Sequence, residues 1–102
     1  MPYTYLVGLH VTDDDAYDAY RAGMTPILQQ YGGGFGYDLR VSEVLRAETD
    51  AAIDRVFTIY FPDEAASAAF FADADYLAVK RQHFERAVAA TTIMATFGGG
   101  GE

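Results

Sequence analysis

Cysteine is absent from the 102-residue chain, which excludes disulfides, thiolate catalysis and cysteine-ligated metals. Basic residues are scarce. Seven Lys and Arg stand against fifteen Asp and Glu, for a formal net charge of −8. Such a field repels phosphate backbones, so no nucleic-acid partner is expected. Long apolar runs are also missing: nothing approaches the ~20 residues of a membrane span. Met1-Pro2-Tyr3 leads straight into a strand-like stretch, with neither the basic region nor the apolar core of a signal peptide. The expectation is a soluble cytoplasmic protein without a membrane partner. Histidine occurs only at His10 and His83, too few without cysteine for a closed zinc site, and no metal or other cofactor is expected.

What the chain has in quantity is apolar and aromatic side chains, 51% and 15% of its residues. Its length fits one domain, and a domain of this size buries roughly two-thirds of its unfolded surface without staples. Residues 1–97 read as that domain, and the Gly-rich residues 98–102 as a flexible tail.

Tyr3 to Val11 is rich in aromatic and β-branched types and reads as a strand. Thr12-Asp13-Asp14-Asp15 marks a helix start, where side-chain oxygens cap free amides and acids suit the positive dipole end. Tyr17, Tyr20, Met24, Ile27, Leu28 and Tyr31 then recur at helical spacing. Pro26 predicts a kink near Gly23–Thr25, and Gly32 or Gly33 is expected to close the helix with a positive φ. Phe35 to Leu45 alternates as a strand, Arg46 to Asp54 is a polar connection, and Arg55 to Phe61 is another strand. A helical region opens at Pro62-Asp63-Glu64, breaks near Asp73 and Asp75, and resumes from Tyr76 to about Ala90. Thr91 to Phe97 is the last strand. The order βαββαβ predicts an α+β, ferredoxin-like domain, an antiparallel sheet with two helices on one face.

Strand parity separates two faces. Tyr5, Val7, Leu9, Phe35, Tyr37, Leu39, Val41, Phe57, Ile59, Phe61, Ile93, Ala95 and Phe97 form an apolar set suited to the helices. The opposite set includes Leu6, Gly8, His10, Asp38, Arg40, Ser42, Val56, Thr58, Tyr60, Thr92, Met94 and Thr96. That set is too apolar for solvent and too polar for a dry core. A second copy of the chain is its expected cover, making a homodimer.

The run Tyr5-Leu6-Val7-Gly8-Leu9-His10-Val11-Thr12-Asp13, followed by Tyr17-x-x-Tyr20, resembles the opening of the bacterial domain-of-unknown-function 1330 family (DUF1330). Pro26-Ile27-Leu28, Tyr31-Gly32-Gly33, Val56 to Pro62 and Phe71-x-x-x-x-Tyr76 continue the resemblance over nearly the whole chain. It implies a dimeric α+β barrel, two sheets packed face to face, and no established activity. Two positions depart from the family pattern. Gly34 stands where relatives carry a basic residue, and His83 stands near a family arginine that Arg81 or Arg86 could replace.

Several local patterns invite chemistry. Gly32-Gly33-Gly34-Phe35-Gly36 is glycine-rich, but it runs from helix into strand, the wrong order for a nucleotide loop. Asp13-Asp14-Asp15 reads as a cap rather than a cation site, because consecutive side chains at a helix start diverge. His83 is similar in placement to the axial ligand of haem-degrading monooxygenases that share the barrel, but their surrounding pattern is missing. It reads as a solvated helix histidine. Tyr17, Tyr20 and Tyr31 read as packing. The remaining constellation is His10, Asp38 and Arg40, with Tyr60 as a ligand-binding fourth member. Their shared parity would put a base, an acid, a cation and a phenol on one sheet face, where they could bind and polarise a small oxygenated molecule. The structural alternative is that Asp38 and Arg40 pair for stability alone.

Three functions follow. The first is a homodimer binding a small anionic or aromatic organic ligand, between sheet and helices or between subunits. The second is a cofactor-independent monooxygenase or isomerase, by analogy of fold. The third is a structural or regulatory dimer without a ligand.

Overall fold

The computed structural model describes residues 2–98. Strands β1 (Tyr3–Val11), β2 (Gly34–Arg40), β3 (Arg55–Phe61) and β4 (Val88–Phe97) form one antiparallel sheet in the order β2-β3-β1-β4. Helix α1 (Asp14–Gln30) crosses from β1 to β2. The second crossover holds α2 (Glu64–Phe71), α3 (Ala74–Val79), a π-helical turn (Lys80–Phe84) and the short α4 (Glu85–Ala87). This is the expected ferredoxin-like α+β arrangement. None of the described helices is long and apolar enough to cross a membrane.

Aspartates start three of the helices. Asp13, Asp63 and Asp73 accept hydrogen bonds from the amides of Ala16, Ala66 and Tyr76 at 3.0, 2.8 and 2.9 Å, each satisfying an otherwise free donor. Helix α1 runs unbroken through Pro26. It closes at Gly32, whose φ is +76°, with the Gly33 amide on the Leu28 carbonyl and the Gly32 amide on that of Gln29. This is the Schellman pattern that glycine enters without a Cβ penalty, and alanine at Gly32 would cost roughly 1 kcal/mol. The second helical stretch breaks at Ala72–Asp73 as expected, but Asp75 lies within α3, and the last strand begins at Val88 rather than Thr91.

Val7, Leu9, Phe57, Ile59 and Phe61 face the helices and are buried with Tyr17, Tyr20, Met24, Leu28, Phe70 and Tyr76. Two bulges disturb the expected parity. In β2, Phe35 pairs with Ile59 but Asp38 with Phe57, so Gly36 and Tyr37 together oppose Thr58. The Tyr37 amide donates to the Thr58 hydroxyl oxygen at 2.8 Å, filling the gap in the ladder. Every later residue of β2 is flipped. Tyr37 and Leu39, expected in the core, are instead 71% and 53% exposed. In β4 the register shifts around Met94, pairing Ile93 with Val7 but Ala95 with Leu6. Ala95 and Phe97 thereby turn to the outer face, and Thr96 to the helix side. Of the proposed tail, only Gly98 lies within the described residues.

The strand expected to continue to Leu45 stops at Arg40. The segment 41–54 turns back onto the outer face, where Ile53 stands 3.1 Å from the place a Cβ on Gly8 would take.

Candidate functional site

The four residues expected to share one face do not converge. His10 lies on the outer face, its Nδ1 2.8 Å from Asp54 Oδ2, and Asp54 Oδ1 accepts from the Val11 amide at 2.9 Å. Histidine thus helps hold the 41–54 segment against β1. Tyr60 is also on the outer face, its ring lying across Gly34, where a Cβ would collide with the phenol. That close approach gives a reason for glycine at this position. The β2 bulge sends Asp38 and Arg40 to the opposite, helix-facing side. Arg40 remains mostly in solvent, 3.9 Å from Asp14. The single-face constellation is therefore corrected: parity counted through an unseen extra residue gives the wrong side.

Asp38 instead joins a cluster of two arginines. Arg55 binds it in bidentate fashion, Nε to Oδ1 at 2.8 Å and Nη2 to Oδ2 at 2.9 Å. Arg21 from α1 reaches the same carboxylate at 3.2 Å. The Arg55 hydrogen bond, helped by the Arg21 charge, holds the Asp38 carboxyl below its ordinary value against a partial desolvation. Two cations share one anion, so the cluster carries a net positive charge within a strongly acidic chain. Arg21 is fixed further. Its Nε donates to the Tyr17 hydroxyl at 2.8 Å, and its guanidinium lies 3.9 Å from the centre of the Phe35 ring, a cation–π stack.

Behind this cluster lies a cavity of about 400 Å³ between the sheet, α1 and the α3–π-turn stretch, within the usual range for small-molecule sites. Aromatic rings dominate its wall: Tyr17, Tyr20, Phe35, Phe57, Tyr76 and Phe84 among them. Arg21 and Lys80 supply its cationic groups. The π-helical turn helps shape the wall. Its extra residue per turn closes with the Glu85 amide on the Lys80 carbonyl and carries Lys80 at one end and Phe84 at the other. Phe84 packs 4.9 Å from Tyr20.

Tyr17, Tyr20 and Tyr76 are buried. Desolvation pushes all three phenols up from their ordinary value, with Arg21 pulling Tyr17 partly back. They stay neutral hydrogen-bonding groups across the physiological range. An aromatic wall with a few fixed polar groups can enclose a flat apolar body and orient its polar end.

Sequence reasoning takes the tyrosines as packing and passes over the two arginines. One signal is present in the pattern. Arg55 shares the parity of Phe57, Ile59 and Phe61 and therefore faces the helices, and Arg21 stands four residues after Tyr17, next to it on the helix surface.

Solved structures share this architecture. A protein of unknown function from Rhodopseudomonas palustris is 21% identical, with 94% of this chain and 80% of that one covered at a TM-score of 0.80. A Mesorhizobium loti protein of the dabb family, with a ferredoxin-like fold, is 18% identical over 98% of both chains, TM-score 0.64. A Nitrosomonas europaea protein provisionally named an antibiotic biosynthesis monooxygenase is 17% identical over 96% of this chain and 89% of that one, TM-score 0.58. At such identities the likeness carries the fold alone. No curated protein matches the chain. Residues 4–97 match the family described as domain of unknown function DUF1330, and the chain belongs to that family.

Proposed function

We propose that this protein binds a small, largely aromatic molecule with an anionic or polar end in the cavity between sheet and helices. The observation that carries the reading is the pairing of a 400 Å³ aromatic-walled cavity with an arginine held in place by Tyr17, Asp38 and the Phe35 ring. A preorganised cation costs little further ordering when an anionic or polarised oxygen arrives. Hydrophobic walls supply affinity, and the cation supplies orientation.

The test is a thermal-shift screen of the whole chain against small aromatic acids and ketones. A ligand selective for the folded state stabilises it by about 2.7 kcal/mol at a hundred times its Kd. Ile93→Trp, which places a large ring at the partly exposed β4 side of the cavity wall, should abolish the shift while leaving the unliganded melting temperature nearly unchanged. Ligands that stabilise the filled variant as well as the parent would refute the location.

A second reading, a cofactor-independent monooxygenase or isomerase, draws support from the same groups. A fixed cation beside neutral phenols suits a developing enolate oxygen. Oxygen uptake or isomerisation of a screening hit separates this reading from simple binding.

The working unit in this reading is a homodimer joined through the outer sheet face. Leu39, Tyr60, Met94 and Phe97 are exposed there, interleaved with the threonine hydroxyls of residues 4, 58 and 92. The four strands place no carboxylate on this face, and Glu43, Glu48 and Asp54 stand beside it on the 41–54 segment, so two copies can meet over the strands despite a net charge of −8.

A further inference from the structure

A phenol hydroxyl has one proton to donate and lone pairs with which to accept. The Tyr20 and Tyr76 hydroxyls lie 2.9 Å apart, and neither has another side-chain partner among the described residues. One must donate to the other, so the acceptor's own proton is unspent. The Tyr17 hydroxyl accepts from Arg21 Nε at 2.8 Å. Arginine has only protons to give, so the Tyr17 proton likewise meets no acceptor among the described residues. As whole residues Tyr17, Tyr20 and Tyr76 are 1%, 6% and 4% exposed, and all three line the cavity. The Tyr17 and Tyr20 rings are 5.8 Å apart, and both line the cavity with Tyr76.

The rest of the wall does not redress the balance. No carboxylate or carboxamide lines it. Arg21 and Lys80 are pure donors, and Thr91, the Met24 thioether and the Tyr5 hydroxyl, itself engaged with Ser67 at 2.6 Å, are the remaining side chains able to accept. Buried donors persist when something is present to receive them. Because burial holds the three phenols protonated, this surplus is present throughout the neutral range.

We infer that the cavity selects molecules bearing hydrogen-bond-acceptor oxygens, of the ketone, quinone or carboxylate kind, which accept one hydrogen bond from Tyr17 and one from the Tyr20–Tyr76 pair. This rests on the cavity being the ligand site, and it adds the chemical class of the ligand and the residues that read it. A ligand whose polar end is a donor, such as an amine, is selected against.

Calorimetric titration of the full chain with three probes of similar size tests the inference: acetylnaphthalene, ethylnaphthalene and aminomethylnaphthalene. Acetylnaphthalene should bind about tenfold more tightly than its apolar isostere, the usual return on one or two good hydrogen bonds, and the amine should bind most weakly. The phenol pair makes a further demand. Tyr20→Phe or Tyr76→Phe alone should keep the ketone preference, because the surviving hydroxyl still has its proton. The combined Tyr17→Phe/Tyr20→Phe/Tyr76→Phe variant should reduce it several-fold, Arg21 remaining as a donor, while binding ethylnaphthalene as before. A merely structural role for the phenols would not produce that pattern. Equal affinities for ketone and isostere, or a preference for the amine, would overturn the inference while leaving the cavity as the site. Binding of none of the three would remove both. The probe comparison on the unaltered chain decides the question even where the triple variant does not fold.

Discussion

Asp38 accepts hydrogen bonds from both Arg55 and Arg21, whose side chains are only 14% and 16% exposed. Asp38→Asn would leave two half-buried guanidiniums facing each other. The expected cost at neutral pH is about 1 kcal/mol, between the values for exposed and buried pairs because the carboxylate is partly screened by solvent. The sign of the pH dependence follows from the depressed carboxyl. A group whose folded pKa lies below its unfolded value stabilises the fold above the unfolded value, and this is lost as pH falls through the folded one. The difference between parent and variant in urea denaturation should therefore be full near pH 6, shrink below the ordinary 3.8, and vanish in stronger acid. A difference that persists unchanged into strong acid would show that the charge is not the source. This cluster is poorly legible in the sequence. Phe35, Tyr37, Leu39 and Val41 keep perfect alternation, and the bulge that breaks the register is bridged by a hydrogen bond from the Tyr37 amide to the Thr58 hydroxyl, a contact 21 residues apart. Local patterns do not record such a contact. The same extra residue separates His10 and Tyr60 from Asp38 and Arg40.

At the scale of elements, local signals are strong enough to read directly. Strand β1, the α1 stripe, the glycine closure and β3 all follow from periodicities of two and 3.6 and from turn chemistry. The second crossover is less regular, and its π-helical turn has no simple sequence mark. Its break is held by Asp73, which caps α3 through the Tyr76 amide and also accepts from the Tyr31 hydroxyl at 2.6 Å. That second bond ties α1 to the start of α3. Asp63 makes only the cap at the start of α2 among the described side-chain bonds. Asp73→Ala should therefore lower the melting temperature more than Asp63→Ala. Adding Tyr31→Phe should bring little further loss in the Asp73 variant, because the shared bond is already gone. Full additivity of the two changes would contradict the link between helices.

For the whole molecule, the two faces of the sheet have different tasks in the proposed account. The helix side encloses the cavity, and the outer side meets a second copy. Sedimentation at low micromolar concentration should give twice the 11.1 kDa chain mass. Leu39→Glu, placing a charge on that face, should shift the mass toward one chain without unfolding it, since Leu39 is already 53% exposed. A monomer throughout the micromolar range would remove the dimer but leave the cavity intact, because every residue of its wall belongs to one chain. In the proposed function the ligand sits between sheet and helices and not between subunits. A crystal structure of the chain soaked with a stabilising aromatic ketone or acid from the screen tests it most directly. Density is expected against Tyr17, Tyr20 and Phe84, with the polar end toward the phenols and Arg21. Density confined to the outer face, beside Tyr60 and Met94, would contradict it.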